Sequence, residues 1–274
     1  MLSPIWERLY HREHIPRKGK MILDRFRLDG QVAMVTGATR GLGQAIAIAL
    51  AEAGADVAGL GRSEPAGTGR TVEALGCRFL GMALDLETAS VAGLDAAVGR
   101  VCDGLGRIDI LINNAGTIRR APALEYSERD WDDILQINLK SAFFLAQSAA
   151  RRMAARGGGK IVNVVSLLSF QGGILVPAYA AAKHALAGIT RALANELAAK
   201  NINVNAVAPG YMVTDNTVAL RADPVRSRAI LERIPAGRWG TPEDLVGAVL
   251  LLASPASDYM HGAIVPVDGG WLSR

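Results

Sequence analysis

The sequence predicts an α/β fold: one domain built on a seven-stranded parallel sheet with helices on both faces. Three observations predict it. Short, nearly continuous apolar runs recur along the 274 residues, as in strands buried on both sides. Longer Ala- and Leu-rich segments with helix start signals lie between them, the alternation that gives a parallel sheet with right-handed crossovers. No repeat, low-complexity linker or compositional shift divides the chain, and its length suits a single domain with a large core.

The first strand runs from Gln31 to Val35 and leads into Thr36-Gly37-Ala38-Thr39-Arg40-Gly41-Leu42-Gly43, then an Ala/Ile helix to Ala53. Strand, glycine turn and helix in succession are the context of a dinucleotide-binding (Rossmann) unit. Missing Cβ atoms let the backbone approach a pyrophosphate, and the helix N-terminus offers unpaired N–H groups and a positive dipole end. The spacing is G-x-x-x-G-x-G, not the common G-x-G-x-x-G, so the same turn could serve packing alone. A second strand, Asp56 to Leu60, ends in Gly61-Arg62-Ser63. NAD-preferring folds usually place an acid here for the ribose 2′-hydroxyl. Gly61 stands there instead, with Arg62 beside it and Arg40 in the glycine turn, and both arginines could meet a 2′-phosphate. On the residues alone this leans toward NADP, against Arg62 as a solvated loop residue.

Phe79 to Ala83 is the third strand, followed by Asp85-Leu86 where an adenine edge would lie. Ile108 to Ile112 is the fourth and leads into Asn113-Asn114-Ala115-Gly116, whose amides can order a turn that leaves room for a ribose; the alternative is a plain loop. Ser127-Glu-Arg-Asp130 starts a helix, with Ser127 as N-cap and acids in the first turn. Asn138 falls partway along it, a disfavoured position that points either to solvent or to a site served by its polar groups.

Ile161 to Val165 is the fifth strand and ends at Ser166. In open parallel sheets that edge is where ligands bind. Tyr179 and Lys183 then sit four apart in an Ala-rich helix, on one face and one turn apart. An ammonium beside a phenol favours phenolate and would pull the tyrosine pKa toward neutrality, where it works as a general acid/base. Such a pair alone is common on solvated helices. Ile202 to Val207 is the sixth strand, before Pro209-Gly210; Asn216 to Ile234 is a polar, Arg-rich cover over the site; Thr241-Pro-Glu-Asp244 starts a helix with proline at its first position; Ala263 to Val267 is the last strand.

Composition excludes several function classes. The net charge of +4 and pI near 9.3 are mildly basic, without a dense Lys/Arg stripe, so nucleic acid is not an expected partner while anionic small molecules are. No apolar run approaches the ~18 residues of a membrane span. Cys77 and Cys102 form no framework, which fits a reducing cytoplasm. His11, His14 and His261 lack partners at ligand spacing, so no metal is expected, and His184 lies on another helical face from Lys183. Residues 1–23 read as a disordered basic tail, or as a mis-assigned start with Met21 as the native initiator, leaving 24–274 as the catalytic domain.

Taken together, Thr36-Gly37-x-x-x-Gly41-x-Gly43, Asn113-Asn114-Ala115-Gly116, Asn138, Ser166, Tyr179-x-x-x-Lys183 and Pro209-Gly210 resemble the short-chain dehydrogenase/reductases. The resemblance implies that Tyr179 is the general acid/base, that Lys183 lowers its pKa and holds the nicotinamide ribose, that Ser166 orients the substrate oxygen, and that Asn138 supports a proton-relay water. It also implies that the cofactor lies along Thr36, Gly37, Thr39 to Gly43, Arg62, Ser63, Asp85, Leu86, Asn114 to Gly116, Pro209 and Gly210. Ile118-Arg119-Arg120, Ser169-Phe-Gln-Gly-Gly173, Asn203 to Met212, Leu220-Arg-Ala-Asp223, Ile234 to Gly240 and the ending Val267 to Arg274 look like the branch that acts on 2-deoxy-D-gluconate at C3, or 2-dehydro-3-deoxy-D-gluconate at C5. That likeness implies a sugar-acid substrate, a cytoplasmic homotetramer and NAD, while Arg40, Gly61 and Arg62 leave NADP open. A guanidinium fork suits a carboxylate. Arg119, and after it Arg120, is the expected anchor, with Gln171 and Tyr211 near the substrate hydroxyls; two exposed loop arginines are the alternative. A 3-oxoacyl-carrier-protein reductase shares the fold and tetrad, and a dinucleotide-sensing module would share the fold without the chemistry.

Overall fold

The computed structural model describes residues 21–274. The region read as a tail lies outside the described residues up to position 20, but Ile22–Phe26 form a 3₁₀ turn in which the Met21 N–H donates to Asp24 Oδ2 at 2.8 Å. The folded part therefore begins before the expected boundary at residue 24.

Seven strands form one parallel sheet: β1 (Val32–Thr36), β2 (Asp56–Gly61), β3 (Phe79–Ala83), β4 (Ile110–Asn113), β5 (Gly159–Val164), β6 (Ile202–Pro209) and β7 (Ile264–Val267). Their spatial order is β3-β2-β1-β4-β5-β6-β7. Every pairing is parallel, as Val35 beside Gly59 and Ile112 illustrates. The order reverses between β1 and β4, which opens a crevice at their carboxyl ends where this architecture binds ligands.

The helices are α1 (Gly41–Glu52), α2 (Ala66–Ala74), α3 (Val91–Leu105), α4 (Glu128–Leu135), α5 (Ser141–Ala155), α6 (Pro177–Leu197), α7 (Val218–Ala222), α8 (Pro224–Arg233) and α9 (Pro242–Ala253). On one side Leu94, Val98 and Val101 of α3 pack with Leu145, Ala149 and Met153 of α5 against Met34 and Leu111. On the other, Ile46 and Leu50 of α1 pack with Leu245, Val249 and Leu252 of α9 against Val35 and Ile112. Central strands are thus buried on both faces, which is why their apolar runs do not alternate.

Local chemistry fixes the helix ends. Ser90 caps α3 by accepting from the Gly93 N–H, and Gly106, at φ 88°, ends it in the left-handed region. Ser127 caps α4 by accepting from the Asp130 N–H. At α9 the Asp244 carboxylate accepts from the Thr241 N–H at 2.8 Å, with Pro242 in the first turn.

One element departs from the expected helix. Between α4 and α5 the chain makes a π turn over Gln136–Lys140, and Asn138 lies inside it, buried. The wider turn rotates a polar side chain inward from a position that a regular α-helix would not single out.

Candidate active site

A cleft of about 690 Å³ follows the carboxyl edge of the sheet and brings the predicted residues together. Gly37, Thr39 to Gly43, Arg62, Ser63, Asp85, Leu86, Asn114 to Gly116, Ser166, Tyr179, Lys183, Pro209 and Gly210 all line it, as do Arg119, Arg120, Gln171 and Tyr211. Thr36 and Asn138 are buried beneath its wall instead.

Thr36 acts through the wall. Its Oγ1 accepts from the Asn114 and Ala115 N–H groups, both at 3.0 Å, while Asn114 Nδ2 donates back to the Thr36 carbonyl at 2.9 Å. The glycine turn and the Asn-Asn-Ala-Gly turn are thereby stitched into one floor. Gly37 (φ 70°) and Gly41 (φ 58°) hold a left-handed backbone there, and a Cβ on Gly43 would collide with the Gly37 carbonyl and the Asn114 amide. Such a bare cradle at the start of α1 fits a dinucleotide pyrophosphate.

At the end of β2, a Cβ on Gly61 would meet Thr39 Oγ1 and lie 2.7 Å from the Ser63 carbonyl. The rim therefore has no room for an acidic side chain, and presents Thr39, Arg40, Arg62 and Ser63 instead. Arg40 is not free: its Nε pairs with Asp215 Oδ2 at 2.8 Å, linking the glycine turn to the 3₁₀ turn Asp215–Thr217 that precedes α7.

Tyr179 occupies the first turn of α6, half-buried, and Lys183 lies one turn on, fully enclosed. Lys183 Nζ donates to the Val164 carbonyl at 2.8 Å and stands 5.5 Å from the centre of the Tyr179 ring. Lys183 Nζ makes no hydrogen bond to the Tyr179 hydroxyl, so the expected ammonium–phenol pairing is not a direct contact here. Burial pushes the Tyr179 phenol up, and the nearby Ser166 hydroxyl and the Arg120 charge pull it back only in part. Burial draws Lys183 down to about 8. Ser166 Oγ accepts from the Leu168 N–H at 3.1 Å, which leaves its own O–H available to donate.

Asn138 Nδ2 donates to the carbonyls of Thr117 and Ile134, each at 3.0 Å, and tethers the loop after β4 to the π turn. Its Oδ1 is buried without a partner among the described residues. An orphaned acceptor beside the cleft wall fits an ordered water.

At the far end the two loop arginines diverge. Arg119 faces Glu87 at 3.8 Å and Asp130 at 3.6 Å, while Arg120 donates to the Asn216 carbonyl at 3.1 Å and carries its charge toward Tyr179 and Tyr211. Two carboxylates thus face Arg119, while Arg120 pairs with none among the described residues. The cleft is also lined by residues the sequence does not single out for the site, among them Arg226 and Arg233 of α8 and Trp271 in the 3₁₀ turn Trp271–Ser273. Only the excess of arginine in the segment covering the site hinted at the first two.

The sequence model of the family described as enoyl-(acyl carrier protein) reductase matches residues 37–272. The chain belongs to the short-chain dehydrogenase/reductase family. As such it is an NAD(P)-dependent oxidoreductase. This short-chain dehydrogenase/reductase is 56% identical over 255 residues, 93% of its length and 100% of the relative's, to the 2-dehydro-3-deoxy-D-gluconate 5-dehydrogenase of Escherichia coli K12. A solved structure from Agrobacterium tumefaciens with bound NADP is 54% identical, covers 91% of this chain and 99% of that one, and superposes with a TM-score of 0.85. The gluconate 5-dehydrogenase of Burkholderia cenocepacia, solved with NADP and tartrate, is 39% identical, with 93% and 100% covered and a TM-score of 0.88.

Proposed function

We propose that the protein moves hydride between a nicotinamide dinucleotide and a secondary alcohol or ketone of a sugar acid, as a 2-deoxy-D-gluconate 3-dehydrogenase (2-dehydro-3-deoxy-D-gluconate 5-dehydrogenase). The observation that carries this reading is the Tyr179 phenol and Ser166 together on the wall of a cleft whose far end is charged by Arg120, Arg226 and Arg233. Similarity to the Escherichia coli enzyme supports the same substrate class.

The bare cradle over Gly37–Gly43 would hold the pyrophosphate, and Lys183 the nicotinamide ribose. When bound, the cofactor supplies or accepts hydride at the carbinol carbon. Tyr179 gives or takes the proton on the substrate oxygen, and Ser166, oriented by the Leu168 N–H, donates to that same oxygen. A water on Asn138 Oδ1 carries the proton outward. Arg120 draws the substrate carboxylate to its place by a charge-assisted, two-pronged contact.

We favour NADP over the NAD expected from family likeness, because Gly61 excludes an acid and Arg40 and Arg62 flank the rim. NADP in related solved structures supports this choice. The family also leads us to place the enzyme in the cytoplasm as a homotetramer, which sedimentation would check; no helix among the described residues is long and apolar enough to cross a membrane.

Absorbance at 340 nm decides between the competing functions. 2-Deoxy-D-gluconate with NADP or NAD should give turnover, whereas an acetoacetyl thioester with NADPH should not, since the substrate end is lined by arginines where an acyl chain needs an apolar channel. Preference for the thioester, or cofactor binding without turnover of any alcohol, would remove the reading.

A further inference from the structure

We propose that Gln171 is a substrate-specificity residue that presents only N–H donors to the cleft, and that Trp271 and Arg233 are positioning residues that lock its amide that way round. The inference rests on the sugar-acid reading above and names the group that selects the carboxylate.

A glutamine amide has an acceptor end and a donor end, and either can face a ligand unless its neighbours decide. Here they decide. Trp271 Nε1–H donates to Gln171 Oε1 at 3.2 Å, and an Arg233 guanidinium N–H donates to the same oxygen at 3.3 Å. Neither indole nor guanidinium can accept a hydrogen bond, so only the carbonyl oxygen can face them. The Nε2 group is thereby turned the other way, with no partner among the described residues, on a side chain that lines the cleft.

Packing holds the indole half of the lock in place. Arg233 lies 4.0 Å from the centre of the Trp271 ring, stacked on its face. Trp271 is only 4% exposed and packs 4.7 Å from the Tyr211 ring, inside a cluster with Leu167, Ile230 and Ile234. The end of the chain thus fixes a hydrogen-bond donor in the substrate cleft. Donor-only presentation suits an acceptor-only group, and a carboxylate oxygen is one. The Arg226, Arg233 and Arg120 charges felt by Tyr211 put the same end of the cleft in a positive field.

Three variants separate this role from mere packing. Gln171→Glu can keep both donors on one oxygen but turns an anionic acceptor toward the substrate. Trp271→Phe keeps the ring and removes the N–H that sets the flip. Arg233→Lys keeps the charge and loses the fork. Binding of 2-deoxy-D-gluconate and of the corresponding uncharged hexitol to the NADP-loaded enzyme is measured by calorimetry, with KM and kcat alongside.

Gln171→Glu should weaken the acid by about tenfold or more, Trp271→Phe and Arg233→Lys by about threefold, each weakening the hexitol less than the acid and moving KM more than kcat. Equal losses for acid and hexitol, unchanged acid binding in Gln171→Glu, or no acid binding by the unsubstituted protein would overturn the inference. Acid binding that follows this pattern without any turnover would instead sink the dehydrogenase reading and leave the donor role standing.

Discussion

Lys183 Nζ bonds to the Val164 carbonyl at 2.8 Å and not to the Tyr179 hydroxyl, although the two side chains share one helix face. The free protein therefore stores both groups in environments that favour their neutral forms. For Lys183 the folded value of about 8 lies below its ordinary 10.5, so between those values the unfolded chain binds more protons and folding strengthens as pH rises. The raised Tyr179 acts with opposite sign, and only above about 10. Thermal scans of cofactor-free protein should show the midpoint rising from pH 8 to 10 relative to Lys183→Met; parallel curves would contradict it.

Removing the phenol oxygen alone isolates the chemistry. Tyr179→Phe should lose about 10²- to 10⁴-fold in kcat, the usual worth of a placed acid/base. Cofactor affinity, followed by fluorescence titration, should stay within about threefold.

The fold and the chemical core were legible in sequence because they rest on local rules. Gly37, Gly41 and Gly43 mark a turn whose missing Cβ atoms are visible as letters, and buried parallel strands write themselves as unbroken apolar runs. The Tyr179–Lys183 spacing gave the shared face but not the lysine's partner, since Val164 is 19 positions away and its carbonyl has no signature. Asn138 stood out as misplaced in a helix, but a π turn has no composition of its own. The substrate end was least legible: Gln171 meets Trp271 across 100 positions and Arg233 across 62. Arg119 and Arg120 are neighbours, yet Glu87 and Asp130 face only the first of them, which no spacing reveals.

Gly61→Asp tests whether the β2 rim can be converted to NAD recognition. Its Cβ would be forced against Thr39 Oγ1 and the Ser63 carbonyl. Chemical denaturation should report a loss of about 1–3 kcal/mol. The NAD/NADP preference should change through loss of NADP, without tighter NAD binding.

The arginine pair separates by kinetics. Arg120→Ala should raise KM for the sugar acid by about tenfold to a hundredfold, the range of one charge-assisted contact. Arg119→Ala should move it by less than about threefold, its losses appearing in thermal stability through Glu87 and Asp130.

Asp215→Asn releases Arg40 from an exposed pair, its side chains 72% and 63% accessible, so the effect should be small. NADPH affinity should tighten by about two- to fivefold at low salt and converge with the unsubstituted protein as salt rises. NADH affinity should not follow.

The π turn at Gln136–Lys140 also sets the phase of everything after it. Deleting one residue there would restore a uniform helix and swing α5 by about 100° about its axis. Leu145, Ala149 and Met153 would leave the sheet at the same stroke that withdraws Asn138. The carboxamide's aim and the seating of a whole helix are one geometric decision, so drift in either is checked by the other.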